Sequence, residues 1–181
     1  MAEGIKVGKR VLVTGSPGAG KSALCELARQ EGHSVIDTDD PRILSWGKKG
    51  LPSGASLLYL LRNSPKFDWN ELERRFDEDG KALAYGAVPP MPRQLMKAVS
   101  YFDRIEYLIL SPIYIAKRLK DRKGNPFGTT PMQVASSIVD AMVLNSLARV
   151  ASFIDRGKIR VHDAMKEPRQ LLSDIYNGQR E

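Results

Sequence analysis

Lys21 and Ser22 close the run Gly15-Ser-Pro-Gly-Ala-Gly-Lys-Ser22. A glycine, four free positions, a second glycine, a lysine and a hydroxyl residue form the spacing of a loop built to hold phosphate. The chemistry follows from the residue types. Glycines let the backbone close round an oxyanion, so that successive N–H groups point inward at the positive end of the helix that follows. The cradle is therefore expected from Gly15, Ser16, Pro17, Gly18, Ala19 and Gly20. Lys21 reaches β- and γ-phosphates as a point charge, and the Ser22 hydroxyl suits a magnesium ion bridging them. An ordinary glycine-rich turn between strand and helix needs neither the lysine nor the serine.

Two further groups of residues have the chemistry to complete such a site. Asp37 and Asp39 lie two apart, so an extended segment would turn both to one side. Asp37 is expected to contact magnesium through water, and Asp39 to orient an acceptor hydroxyl and accept its proton. Asp40 points elsewhere by the same parity; local turning would exchange the three roles. Arg118 and Arg122 are four apart, hence on one helix face. Their rigid guanidinium forks match phosphate oxygens, and their planes can cover a purine ring. Arg122 is expected to reach the transferring phosphate, and Arg118 to cover the base or support a closing segment. Catalytic work thus falls to Lys21, Asp39 and Arg122.

The elements that must position these residues are legible as alternating short apolar runs and helical periods. Strands are expected over Lys9–Thr14, Ser34–Asp37, Ala82–Tyr85, Arg104–Leu110 and Lys158–His162. Helices are expected over Ala19–Glu31, Ala55–Arg62, Asp68–Asp79, Gln94–Ser100, Tyr114–Asp121, Gln133–Asp155 and Pro168–Tyr176. Gly32 stands where a helix C-cap belongs, and Pro112 where a helix begins. Residues 41–54, punctuated by glycine and proline, read as a surface loop over the site, and 122–131 as a loop between two helices. Strands alternating with helices imply a three-layer α/β domain on a parallel sheet. One domain over 1–181 is expected at this length.

The 181 residues carry a formal charge of +7, which favours polyanionic partners such as nucleotides. Lys117, Arg118, Lys120, Arg122 and Lys123, set against Asp121, concentrate much of that charge in one segment. The amino terminus lacks the pattern of a signal peptide, and no uninterrupted apolar run matches a bilayer span. A cytoplasmic protein is the expectation, with no membrane association and no obligate protein partner. Cys25 is alone, so no intramolecular disulfide is possible, and a packed thiol is its expected state. His33 and His162 have no neighbours in a metal-ligand spacing, which leaves structural zinc without support.

The phosphate loop, the Asp37-Thr-Asp39 run after the second strand and the late basic helix followed by Gly124-Asn-Pro-Phe-Gly128 resemble the small P-loop kinases of the shikimate-kinase and adenylate-kinase type. That resemblance covers most of the chain. It implies a five-stranded parallel sheet in order 2-3-1-4-5, an ATP–magnesium donor, a substrate region within 41–80 and a helical lid near 118–131. It also implies that Asp39 touches the acceptor and that Arg122 comes from the lid. The chain departs from the shikimate kinases in its middle, where Gly86-Ala-Val-Pro-Pro90 stands in place of their glycine pair. It is more similar to bacterial and phage-type members of the superfamily. Gly86 and the Trp46 region are expected to help choose the acceptor.

The expected activity is ATP- and magnesium-dependent phosphoryl transfer to a hydroxyl or phosphate of a small metabolite or nucleotide. A second possibility keeps the nucleotide site but acts on nucleic acid, including hydroxymethylated bases in DNA. Trp46 with Lys48 and Lys49 would then supply stacking and backbone contacts. A nucleotide-dependent switch is the third, and it lacks the expected apolar strand ending in an Asp-Glu pair.

Overall fold

Apolar side chains that alternate along the first strand dictate two layers of packing. In the computed structural model, which describes residues 10–16, 18–45, 65–79, 83–86, 92–121 and 131–177, β1 (Val11–Gly15) sits at the centre of a five-stranded sheet. Val11 and Val13 face one core, with Leu24, Cys25, Leu108 and Leu172. Leu12 faces the other, with Ile36, Leu72, Ala84 and Phe102. A strand buried on both sides must be apolar at both parities, which is why the run reads Val-Leu-Val rather than alternating with polar residues.

The sheet runs β2 (Val35–Asp37), β5 (Leu83–Tyr85), β1, β6 (Arg104–Ile109), β7 (Ile159–Asp163), and all its pairings are parallel. Counted along the chain this is the order 2-3-1-4-5. The crossovers place α1 (Lys21–Gln30) and α6 (Pro168–Asn177) over the first core. Over the second lie α2 (Trp69–Asp79) and α3 (Pro92–Tyr101). The remaining helices are α4 (Pro112–Asp121) and the long α5 (Pro131–Ile154). Three layers result, with every described strand of the sheet ending on the same edge. Such an edge, where the order reverses beside the first strand, is where open α/β sheets bind ligands.

Local chemistry fixes the element ends. Gly32 takes φ 84°, and the bonds Gly32 N to Arg29 O and His33 N to Ala28 O close α1 in a Schellman motif. Asp68 Oδ1 accepts from the backbone N–H of Asn70 and Glu71, each at 3.0 Å. It is therefore the N-cap of α2 rather than its first helical residue.

One expectation needs correction. The stretch from residue 41 reads in sequence as loop, yet β3 (Leu44–Ser45) pairs antiparallel with β4 (Lys66–Phe67). Ile43, Leu44 and Phe67 are buried, and that burial outweighs the turn-forming composition around them. Arg75 of α2 lies under the turn after β2, bonded to Glu71 at 2.9 Å and to Asp40 at 3.0 Å. The helix expected over 55–62 and the lid loop 122–130 lie outside the described residues.

Candidate active site

The loop after β1 turns through Gly18 and Gly20 at φ 79° and 89° before α1 begins. No side chain caps that helix, so the free N–H groups of its first turn are left for a ligand or water. Gly15 is required for a different reason. A Cβ on it would lie 2.5 Å from the Leu108 carbonyl oxygen, so the loop can leave the sheet only where no side chain stands. Lys21 folds back, its Nζ donating to the carbonyls of Gly15 at 2.8 Å and Ser16 at 3.1 Å. Ser16 and Ala19 are buried, while Ser22 is exposed on the first turn of α1.

Arg118, one hundred residues further on, comes to this loop. Its Nη1 donates to the Gly18 carbonyl at 2.9 Å, and the guanidinium stands over Gly20. The side chain is otherwise exposed. An arginine and a lysine thus converge on one loop of seven described residues, with the positive end of α1 behind them.

The acids sit on the neighbouring strand end. Asp37 is the last residue of β2 and pairs in register with Tyr85. The Tyr85 hydroxyl donates to Asp37 Oδ2 at 3.0 Å, and Asp39 N donates to Asp37 Oδ1 at 2.8 Å. The chain leaves the strand at residue 38 and turns, so the parity argument fails beyond Asp37. Asp37 and Asp39 are joined by a turn rather than by a common strand face. Tyr85 is kept protonated and donating, its hydroxyl pushed above the ordinary value by burial and then by the nearby Cys25 and Asp37. Burial likewise pushes the Cys25 thiol up to about 11, so this cysteine is an unreactive packed group.

Gly86 follows Tyr85 at φ 134°. A Cβ there would collide with Thr38 Oγ1 and come within 3.2 Å of Asp39 Oδ1. The turn that presents Asp39 is consequently packed directly on a glycine. Asp40 is taken out of the site, bonded through Oδ1 to Arg42 N at 2.9 Å and through Oδ2 to Arg75. Those bonds, the Arg42 guanidinium first, hold its carboxyl well below the usual range. Pro17, Trp46 and Arg122 lie outside the described residues.

Sequence reasoning missed Tyr85 and Arg75. Tyr85 was legible as a strand end, but its pairing with Asp37 depends on the register of two strands separated by 48 positions. Among the described residues no group of three His, Cys, Asp or Glu side chains could hold a metal ion. His33 stacks on Tyr176 at 3.9 Å, and His162 pairs with Glu106. Beside the site an open groove of about 540 Å³ runs between the β3–β4 pair and the starts of α2 and α3. Arg42, Lys66 and Lys97 line it, with Trp69, Gln94 and Asp68 among its other walls.

No protein-family model and no curated protein matches this sequence. Solved structures do match its fold. A deoxyadenosine kinase from M. mycoides, solved with bound dATP, superposes with a TM-score of 0.55 at 12% identity, covering 96% of this chain and all of that one. A gluconokinase from Sinorhizobium meliloti 1021 gives 0.57 at 15% identity, covering 96% and 93%. The fold is the three-layer P-loop NTPase fold. At these identities the likeness speaks for the fold alone, and both solved chains are matched over nearly their whole length.

Proposed function

We propose that this chain transfers a phosphoryl group from ATP, as its magnesium complex, to a hydroxyl or phosphate of a small metabolite or nucleotide. One observation carries the reading: Lys21, Arg118 and the uncapped first turn of α1 converge on the loop Gly15–Ser22. The fold likeness to two small-molecule kinases supports it. Backbone N–H groups of Gly18, Gly20 and Lys21 bind the phosphates, and Lys21 exchanges two carbonyl partners for phosphate oxygens. Magnesium would be held here by the Ser22 hydroxyl and through water by Asp37, and it would supply neutralising charge for the transferring group.

Asp39 orients the acceptor and takes its proton, since its carboxylate is presented on the turn fixed by Asp37 and Gly86. Arg118 covers the loop and Arg122 follows on the lid, 118–131, to stabilise the transferring phosphoryl. Residues 41–80 form the acceptor side. The three cations lining the groove beside β3 and β4 favour an acceptor that carries its own carboxylate or phosphate.

The test is direct. The protein is incubated with magnesium and γ-labelled ATP against panels of nucleosides, nucleotides, sugars, sugar acids and hydroxymethylated DNA, and the labelled product is identified. Label on a small anionic acceptor is expected. Absence of transfer to every panel, together with no thermal stabilisation by magnesium–ATP, would overturn the reading; label on DNA alone would move it to nucleic acid.

A further inference from the structure

The long helix α5 is apolar on both sides. Val134, Ala141, Asn145 and Ala148 are buried against the domain, and Asn145 Nδ2 donates to the Leu110 carbonyl at 3.2 Å. At 100° per residue the opposite side carries Val139, Met142, Val143, Leu147, Val150, Phe153 and Ile154, all within an arc of about 140°. Each of these seven is between 43% and 79% exposed. Side chains of these sizes present roughly 800 Å², above the ~300–600 Å² of the largest patch on an ordinary monomer. That area equals the ~800 Å² that each partner contributes to a standard interface. Asp140 and Arg149 are the helix's only ionisable residues.

Three occupants are conceivable for a face of this kind, and the residues favour one. By length and composition 134–154 would suffice to cross a membrane. Its inner face is nonetheless committed to the core through Ala141, Asn145 and Ala148. A helix lying on a lipid surface takes a border rich in lysine and arginine, which a helix with one arginine does not supply. The stripe does have the form of a helix-pairing seam. Val139, Val143, Ser146, Val150 and Phe153 follow a 4-3-4-3 spacing, which keeps one line of residues facing a second helix. Ser146 lies at its middle, small enough to let two backbones approach. Reversing the direction about Ser146 sets Phe153 against Val139 and Met142 against Val150, large against small.

We infer that the outer face of α5 is a dimer interface, occupied by α5 of a second copy of this chain laid antiparallel across a two-fold axis near Ser146. Such an interface is self-complementary and closes on itself. It leaves the Gly15–Ser22 loop out of the contact, so the inference stands or falls apart from the proposed activity.

Light scattering on the purified protein over a range of micromolar concentrations should give about twice the 20.1 kDa mass of one chain. The double variant Val143→Glu, Val150→Glu alters only exposed positions; it should keep the far-ultraviolet circular dichroism of the wild type and run as a monomer. Ser146→Cys should be joined across the dimer by a short bis-maleimide, while Lys97→Cys, on the opposite side of the sheet, should not. A wild type that is monomeric throughout overturns the inference, as does a dimer that survives both glutamates or a Ser146→Cys protein that resists joining. Monomeric wild type that sediments with phosphatidylcholine vesicles would give the face to a lipid surface instead.

Discussion

Two places in this sheet put charged groups against β-strands, and they resolve the cost in opposite ways. Between β6 and β7, Glu106 is fully buried and shared by Arg104 and by His162, the latter at 2.5 Å. Arg104 also donates to the Ile175 carbonyl. In that cluster the buried carboxylate faces its partners within the fold. At the end of β1, two positions beyond the Glu106 level, Lys21 and Arg118 are held by backbone carbonyls and the first turn of α1 has no side-chain cap. A buried charge with charged partners is a structural element whose removal harms folding. Cations leaning on carbonyls beside open N–H groups lose little when they turn to an anion.

The largest effect expected is on the first of these regions. Glu106→Leu leaves Arg104 buried without its counter-charge and should cost about 3–5 kcal/mol of stability in urea unfolding. Adding Arg104→Met to it should recover most of that loss, because an apolar pair of similar volume fills the space. A single variant with wild-type stability would erase the distinction between the two regions.

Lys21→Ala should do the reverse. Turnover is expected to fall by at least about 100-fold, the scale of a lost transition-state donor, while unfolding free energy changes by less than about 1 kcal/mol. Steady-state kinetics with a labelled acceptor and urea unfolding on the same preparation measure both. A variant that loses stability but transfers phosphate normally would make Lys21 a structural residue.

The smallest effect concerns the turn after β2, at the far edge of the sheet from Glu106, that carries the acids. Arg42 and then Arg75 hold the Asp40 carboxyl well below the usual range, and Arg74 and then Arg75 hold Glu71 at about 2. Both folded-state values are depressed, so the ion pairs stabilise fully above the unfolded carboxyl's range and lose their contribution as pH falls through the folded one. Asp40→Asn should therefore cost about 1 kcal/mol at neutral pH. The gap from wild type should begin to close as pH falls below about 4, where the unfolded chain's carboxyl takes up its proton while the folded one stays ionised. Urea midpoints of both proteins across that range decide it, and a constant gap would show that charge is not the cause.

Chain order, the five strands and the loop after β1 were legible because each rests on local information. The apolar triplet Val11–Val13 must be buried on two faces, and the glycines at 18 and 20 take a left-handed backbone that other residues rarely adopt. Cys25 as a packed thiol and Gly32 as a C-cap were legible for the same reason. The Asp37–Asp39 geometry was not, because the parity rule assumes an extended chain and the structure turns at residue 38. The β3–β4 pair was hidden by its two-residue length, too short for any period to show.

What the sequence determined unaided is that a phosphate-shaped loop stands between a buried strand and a helix, since glycine, lysine and serine act there through neighbours a few bonds away. Only the tertiary structure decided that Arg118 bends over Gly18, that Tyr85 fixes Asp37, and that an apolar helix face is left outward. Each of those depends on which distant segments the parallel sheet brings side by side, and register across a crossover is set by packing of the whole domain rather than by any local spacing.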